Sequence, residues 1–117
     1  MKIMIMVGLL TLASFHLTNA KDLVEKFTVY GNCGKCKKTI ESSLKNTVGI
    51  KEATWDKKTK ILTVKFDDEL TNLNDVKQRI ADAGYDSDEV RASDDVYESL
   101  HHCCKYDRPE KKRPNDN

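Results

Sequence analysis

Alternation of apolar and polar residues predicts four short strands along the chain. In the first, Phe27 and Val29 alternate with polar neighbours, and Gly31-Asn32 ends the run. Two later runs are separated by a polar turn at residues 57–59, which is typical of a β-hairpin. The predicted strands are residues 23–30, 50–56, 60–67 and 85–91, of which the last is weak, rich in acids and typical of a sheet edge.

Apolar residues spaced by three or four positions predict two amphipathic helices. Polar residues between 71 and 74 are suited to cap the second helix, and Gly49 and Gly84 end the two helices. The apolar faces consist of Cys36, Ile40, Leu44 and Val48 in the first helix and of Leu73, Val76, Ile80 and Ala83 in the second.

The resulting order is strand, helix, strand, strand, helix, strand. Right-handed crossovers allow both helices to bury their apolar faces against the same side of one sheet. We therefore predict an α+β fold, a ferredoxin-like βαββαβ sandwich with two helices on one face of a four-stranded antiparallel sheet. This domain is expected to occupy residues 21–92.

The chain continues beyond this domain with two different patterns. Ser93-Asp94-Asp95 has the cap and the first-turn acids of a helix start, which predicts a short C-terminal helix within residues 93–107. That segment contains the cluster His101-His102-Cys103-Cys104. Residues 108–117 carry no apolar side chain outside two prolines and are expected to form a disordered tail.

The N-terminus has the pattern of a secretory signal. Lys2 precedes an apolar run from Ile3 to Leu17, and Ala20 precedes the charged Lys21. We predict a signal peptide over residues 1–20 and an exported protein, periplasmic in a Gram-negative bacterium, with no membrane anchor after cleavage. The alternative, an uncleaved anchor, is disfavoured because the run is shorter than about 20 apolar residues.

Composition narrows the classes of function. The chain has 117 residues, enough for one small domain, with 20 bases and 19 acids. Removal of residues 1–20 takes away only the base Lys2, so the remaining charges balance, which argues against a general nucleic-acid binder. All three methionines lie in residues 1–6, so the exported chain has four cysteines and no thioether ligand.

Candidate chemistry is concentrated in Cys33-Gly34-Lys35-Cys36, where the first strand passes into the first helix. Two thiols three residues apart can bind one ion, and the helix N-terminus, with Lys35, Lys37 and Lys38, favours thiolate over thiol. Two soft sulfur atoms without a nearby third ligand suit Cu(I) or Hg(II), which accept low coordination numbers. Zn(II) and Cd(II) are weaker candidates, since Zn(II) prefers four ligands.

Several short motifs in this order resemble the heavy-metal-associated domain family over about residues 24–91. The resemblance implies a metal held by Cys33 and Cys36, with Tyr85 close to the loop, and the secretory signal makes the exported, stand-alone mercury- or copper-binding type the nearest analogue. One position departs from the family, which usually has Met where this chain has Gly31. The motifs are Phe27-Thr28-Val29, Cys33-Gly34-Lys35-Cys36, Ile40-Glu41, Gly49-Ile50, Ala53-Thr54-Trp55-Asp56, Leu62-Thr63-Val64-Lys65-Phe66-Asp67 and Ala83-Gly84-Tyr85.

We expect a protein that binds a soft metal ion and is not an enzyme. It would sequester the ion, or hand it to a metal-transporting or metal-accepting protein by thiolate exchange, as a monomer or weak dimer. The alternative is a secreted thiol-redox or disulfide-stabilised module, in which Cys33 and Cys36 pair with each other. A thioredoxin-like exchanger places a proline against its CxxC motif and is disfavoured, because no proline precedes Pro109. Attachment of a c-type haem needs histidine directly after the second cysteine, where this chain has Lys37.

The cluster of His101, His102, Cys103 and Cys104 is a candidate for a second, weaker soft-metal site or for dimer contacts. A fourth strand of seven residues would carry the chain about 23 Å from the loop. The twelve steps from Arg91 to Cys103 would reach about 40 Å if extended, enough to return, but only about 18 Å as a helix, which falls a little short. Ser93-Asp94-Asp95 favours the helix for much of this stretch. We therefore expect that Cys103 and Cys104 do not complete the Cys33/Cys36 site within one molecule.

Overall fold

The computed structural model describes residues 22–111, so the predicted signal peptide lies outside the described residues. Three strands form one antiparallel sheet in the order β1-β3-β2, and the α+β class is confirmed. The elements are β1 Asp22–Thr28, α1 Gly34–Leu44, β2 Ile50–Trp55, β3 Ile61–Asp67, α2 Leu73–Asp82, α3 Asp94–Glu98 and a 3-10 turn His102–Cys104.

The core lies between the sheet and the two long helices. Alternate residues of the central strand, Leu62, Val64 and Phe66, are buried and therefore project from the same sheet face. They pack in one cluster with Ile40 of α1 and Ile80 of α2, so both helices cover that face. The alternating apolar residues of the strand and the apolar faces of the helices thus form a single hydrophobic layer. Burial of this apolar surface is the main driving force of folding.

Both long helices begin close to their predicted starts, but α1 is shorter than predicted. It ends at Leu44, and Asn46 adopts a positive φ of 57°, which interrupts the helical backbone. Val48 therefore lies outside the helix and is 74% exposed. In α2 the side chain of Asn72 accepts a hydrogen bond from the backbone N–H of Asp75, as expected of a capping residue.

The fourth strand predicted at residues 85–91 is wrong. Within residues 22–111 it is replaced by a single antiparallel bridge between Val29 and Ser87. The backbone N–H of Ser87 then donates to the carbonyl oxygen of Val90 at 2.9 Å, so the chain reverses after the bridge. On the outer side of this turn, the buried amine of Lys77 pairs with Asp88 at 3.1 Å and with Glu89 at 3.3 Å.

The reversal is fixed by the fully buried carboxylate of Asp86. This carboxylate accepts hydrogen bonds from the backbone N–H of Ala92 at 2.7 Å and from the guanidinium of Arg108 at 2.8 and 2.9 Å. A buried charge is stable only when it is paired and hydrogen-bonded. Burying Asp86 therefore draws both Ala92 and Arg108 towards the end of the sheet.

The expected disordered tail is also wrong for Arg108, whose side chain is 11% exposed in its ion pair with Asp86. Just before it, Tyr106 is buried and stacks on Tyr85 with ring centroids 5.6 Å apart. The hydroxyl of Tyr106 donates to the carbonyl of Gly84 at 2.7 Å and accepts from the N–H of Asp86 at 2.9 Å. Residues 112–117, the rest of the predicted tail, lie outside the described residues.

Gly84 allows this docking in two ways. Its φ of +105° lies in a region that side-chain-bearing residues rarely adopt, and a Cβ there would lie 2.8 Å from the side chain of Leu100. The segment after α3 therefore packs directly on the backbone at the end of α2. Residues 93–107 belong to the same packed unit as the domain that precedes them.

We predict that Tyr106→Phe lowers the free energy of unfolding by about 1–3 kcal/mol. The change removes a buried donor to Gly84 and leaves the N–H of Asp86 without its acceptor. Urea unfolding measures the loss, and Tyr30→Phe is the matched control because the Tyr30 hydroxyl takes no part in these hydrogen bonds. Equal stability of Tyr106→Phe and the wild type would contradict the stabilising role of tail docking.

Candidate metal centre

Cys33 and Cys36 sit at the start of α1, on the loop that leaves the sheet. Cys33 is the residue before the first helical position, with extended backbone at φ −137°, and it is half-buried. Cys36 lies in the first turn, and its side chain belongs to the buried core. Their Sγ atoms are 3.9 Å apart. The loop therefore presents one thiol towards solvent and one towards the core, close enough to share a ligand.

The helix N-terminus stabilises the thiolate of Cys33, the first cysteine of the loop. Hydrogen bonding to the backbone N–H groups of Cys36 and Lys35 lowers the pKa of the Cys33 thiol to about 7. These N–H groups lie in the first turn, where they have no helical acceptor and carry the positive end of the helix dipole. Near neutral pH a large fraction of Cys33 is therefore thiolate, the form that binds metal and reacts with electrophiles.

The indole of Trp55 packs against the backbone of Gly31, at the start of the loop. A Cβ at Gly31 would lie 3.1 Å from the Trp55 ring, so the absence of a side chain lets the indole approach the backbone. The indole is fully buried, and its Nε1–H donates to the carbonyl of Val29 at 2.9 Å. The bulk beneath the loop thus comes from the end of β2.

Of the three lysines near the loop, Lys37 has a structural role. Its amine donates to the carbonyl of Trp55 at 2.7 Å and pairs with Glu41 at 2.8 Å, while Glu41 accepts from the N–H of Trp55 at 2.8 Å. These contacts fasten α1 to the end of β2. Lys35 and Lys38 are exposed and form the remaining positive surface beside the cysteines.

The structure brings the C-terminal cysteines to the loop, so the expected separation is wrong. The Sγ atoms of Cys33, Cys103 and Cys104 all lie within 4.8 Å of one another, and Cys103 and Cys104 are 3.9 Å apart. The expectation assumed a fourth strand that leads away from the loop. The turn after Ser87 instead reverses the chain, and α3 carries it back.

Cys104 is the buried member of the group formed by Cys33, Cys103 and Cys104. Burial is the main cause that raises the pKa of its thiol to about 12, and the thiol of Cys36 beside it adds to the effect. The hydroxyl of Tyr85 lies against the same two thiols, and burial raises the pKa of this hydroxyl as well. Tyr85 is thus near the loop cysteines, as the family resemblance implied.

The two histidines lie on the exposed side of the cluster. The Nδ1 atom of His101 is 3.2 Å from the Sγ atom of Cys103, and the rings of His101 and His102 are 4.4 Å apart. The positive charge of Lys35 is the main cause that lowers the pKa of His101. His101 therefore favours the neutral form, which can accept a proton from a thiol or bind a metal.

Local spacing identified the loop cysteines but not the residues that bring the tail to them. The ion pair of Asp86 with Arg108 and the burial of Tyr106 were missed, because these residues are 20 or more positions apart. One signal was available: Tyr106 is an aromatic residue in an otherwise polar tail, two residues after the cysteine pair. Such a residue is typical of an anchor rather than of disordered chain.

Comparisons with known proteins agree on one family. The model of the heavy-metal-associated domain matches residues 31–86. The periplasmic component of a mercuric transport protein from Shewanella putrefaciens is 31% identical over 87 residues, which are 74% of this chain and 96% of that protein. The copper chaperone CopZ of Staphylococcus aureus is 34% identical over 55 residues, 47% of this chain and 81% of the chaperone.

The fold comparison gives the same result. The solved structure of a CopZ metallochaperone superposes with a TM-score of 0.54 at 33% identity, over 56% of this chain and 98% of the metallochaperone. Within residues 22–111, no helix has both the length and the apolar character needed to cross a membrane. The family match ends at residue 86, so Cys103 and Cys104 lie beyond it.

We predict that Cys33 is the first of the four cysteines to be alkylated by iodoacetamide in the reduced protein. Its rate should rise with pH through an apparent pKa of about 7, because the thiolate is the nucleophile. Peptide mass spectrometry after timed quenching gives the rate at each cysteine. Cys104, which is buried and has a raised pKa, is the internal control and should react last. An apparent pKa of Cys33 at or above that of free cysteine would contradict the assignment.

Proposed function

The chain belongs to the heavy-metal-associated domain family, and on that basis we propose that it is an exported protein that binds one soft metal ion, Cu(I) or Hg(II), through Cys33 and Cys36. It would sequester the ion or pass it to a metal-accepting protein by thiolate exchange. The observation that carries the proposal is the pair of Sγ atoms 3.9 Å apart at the mouth of the loop. The named relatives, a mercuric transport component and a copper chaperone, support this class of ion.

The loop geometry suits the capture of an ion by exchange of ligands. Cys33 is partly exposed, and its lowered pKa provides thiolate near neutral pH, so it can make the first bond to an incoming ion. Cys36, enclosed by the core, then provides the second sulfur at a fixed position. A soft ion with two sulfur ligands can accept a third thiolate before it loses one, so transfer requires no free ion.

Export is supported by the N-terminal pattern and by the periplasmic relative. An oxidising compartment also allows a Cys33–Cys36 disulfide, which is the competing thiol-redox interpretation. The two interpretations differ in the state of the protein as it is exported. Metal bound to reduced cysteines supports metal handling, whereas a metal-free disulfide form supports the redox alternative.

We predict that Cys33→Ser and Cys36→Ser each weaken binding of Cu(I) and of Hg(II). The loss should exceed the roughly 10- to 100-fold effect of removing an outer-shell partner, because a direct ligand is lost. Competition titration of the reduced protein against a chromogenic chelator measures the affinity. Ser42→Ala, an exposed change on the same helix, is the control and should bind as the wild type does. Wild-type affinity in both cysteine variants would disprove the proposal.

We further predict that Lys35 and Lys38 favour acceptors of negative charge. In the double variant Lys35→Gln/Lys38→Gln, transfer of Cu(I) to glutathione, an anionic thiol, should slow by roughly 2- to 10-fold. Transfer to cysteamine, a cationic thiol, should not slow, and added salt should remove the difference between the two proteins. Stopped-flow measurement of both rates checks this, and equal slowing with both thiols would contradict a role of charge.

A further inference from the structure

The C-terminal tail carries two thiols to the metal loop, and nothing in the family match accounts for them. The Sγ atoms of Cys33, Cys103 and Cys104 lie within 4.8 Å of one another. Cys33 is also 3.9 Å from Cys36, and its Sγ is 3.7 Å from the carbonyl oxygen of Cys103. Three sulfur atoms from two distant segments thus lie together at the end of the sheet, and the fourth, of Cys36, lies beside Cys33 and Cys104.

The tail is held there by contacts that do not involve sulfur. Arg108 binds the buried carboxylate of Asp86, Tyr106 bonds to Gly84 and Asp86, and the Tyr97 hydroxyl donates to the carbonyl of Tyr106 at 2.6 Å. Cys104 lies two residues before Tyr106 and is itself buried. The positions of the tail thiols are therefore fixed by the fold before any ion arrives.

A buried donor faces the cluster without a partner. The hydroxyl of Tyr85 is fully buried and has no hydrogen-bond partner among residues 22–111, although it lies against the thiols of Cys36 and Cys104. An unsatisfied buried hydroxyl is costly, and a protonated thiol is a weak acceptor for it. The Tyr85 hydroxyl is therefore a buried polar group that faces sulfur atoms of both segments.

The spacing of the sulfur atoms suits more than two ligands on one ion. With metal–sulfur bonds of about 2.3 Å, two sulfurs on a linear ion lie about 4.6 Å apart, whereas those on a trigonal or tetrahedral ion lie about 3.8–4.0 Å apart. The pairs Cys33–Cys36 and Cys103–Cys104 are both separated by 3.9 Å. Both pairs are thus pre-arranged at the shorter spacing.

We propose that Cys103 and Cys104 complete the Cys33/Cys36 site within one molecule, so that a soft ion is held by three or four thiolates under a C-terminal cap. This inference rests on the proposed function, because it assumes that the loop binds metal. In this arrangement Cys103 and Cys104 would occupy the coordination positions that the thiol of an acceptor protein needs for ligand exchange. The cap therefore favours ions that accept trigonal or tetrahedral sulfur coordination and makes the protein retain its ion.

Cd(II) titration of the reduced protein tests the number of sulfur ligands. The intensity of the sulfur-to-cadmium charge-transfer absorbance and the ¹¹³Cd chemical shift should indicate three or four thiolates in the wild type. In Cys103→Ser/Cys104→Ala the number should fall to two, and the Cd(II) affinity should fall about tenfold or more. Two thiolates in the wild type, or unchanged coordination in the double variant, would overturn the cap while leaving the loop site intact.

Two further variants distinguish the intramolecular cap from a metal-bridged dimer and from a loss of folding. Cys103→Ser alone changes an exposed residue and should lower the thiolate count without unfolding the protein, as far-ultraviolet circular dichroism checks. The variant Ser99→Cys/Cys103→Ser keeps four thiols but misplaces one, and it should behave as Cys103→Ser does. Wild-type affinity in this relocated variant, or a metal-bound dimer in sedimentation analysis, would overturn the intramolecular cap. Wild-type affinity in both Cys33→Ser and Cys36→Ser would instead reject the proposed function itself.

Discussion

The buried carboxylate of Asp86 organises the second half of the molecule. It is fully buried and out of reach of solvent, so its charge must be stabilised by hydrogen bonds and an ion pair within the protein. Those partners, the N–H of Ala92 and the guanidinium of Arg108, both lie downstream in the chain. Satisfying Asp86 therefore forces the turn after Ser87 and returns the tail across the end of the sheet. The cysteine cluster is a consequence of this pairing.

Hydrophobic periodicity predicted the part of the fold that depends on apolar burial. Leu62, Val64 and Phe66 alternate because one face of β3 is covered, and Ile40 and Ile80 recur at helical spacing for the same reason. Residues 85–91 show this pattern only weakly and are rich in acids, so little apolar burial supported the fourth strand. Their course is decided by a polar side chain whose partner is 22 positions away, and this pairing has no local pattern.

The same contrast applies to the site. Cys33 and Cys36 could be identified from sequence because their spacing and their position before a helix are local properties. The role of Cys104 depends on tertiary contacts, since it reaches Cys36 only after Tyr106 has docked on Tyr85. The sequence predicted thiolate character for the loop from the helix N-terminus and the nearby lysines. In the structure the main cause is hydrogen bonding to backbone N–H groups. The unpaired N–H groups of the first turn stabilise the thiolate of the residue that precedes them, which is Cys33.

Gly31 and Trp55 make the loop a rigid platform. The family usually places a flexible methionine at the position of Gly31, whereas this chain fills the space with an indole fixed by its bond to Val29. Glu41 and Lys37 clamp the backbone of Trp55 to α1, so the helix that carries Cys36 and the strand beneath it move together. The loop therefore loses its conformational entropy during folding, and little further ordering is needed when an ion binds.

The rigid loop and the docked tail determine how an ion bound in the proposed site could be released. A ligand on the same chain acts at an effective concentration of about millimolar even through a flexible linker, and docking by Arg108 and Tyr106 raises it further. An acceptor thiol must therefore displace Cys103 or Cys104, not merely approach Cys33. Cys103 is the exposed member of the pair, so exchange is expected to begin there and to proceed inward. On the proposed function, the capped site would retain its ion, and displacement of the cap would expose the open two-thiol loop. The contacts that hold the tail, above all the Asp86–Arg108 pair, are therefore the ones that oppose release.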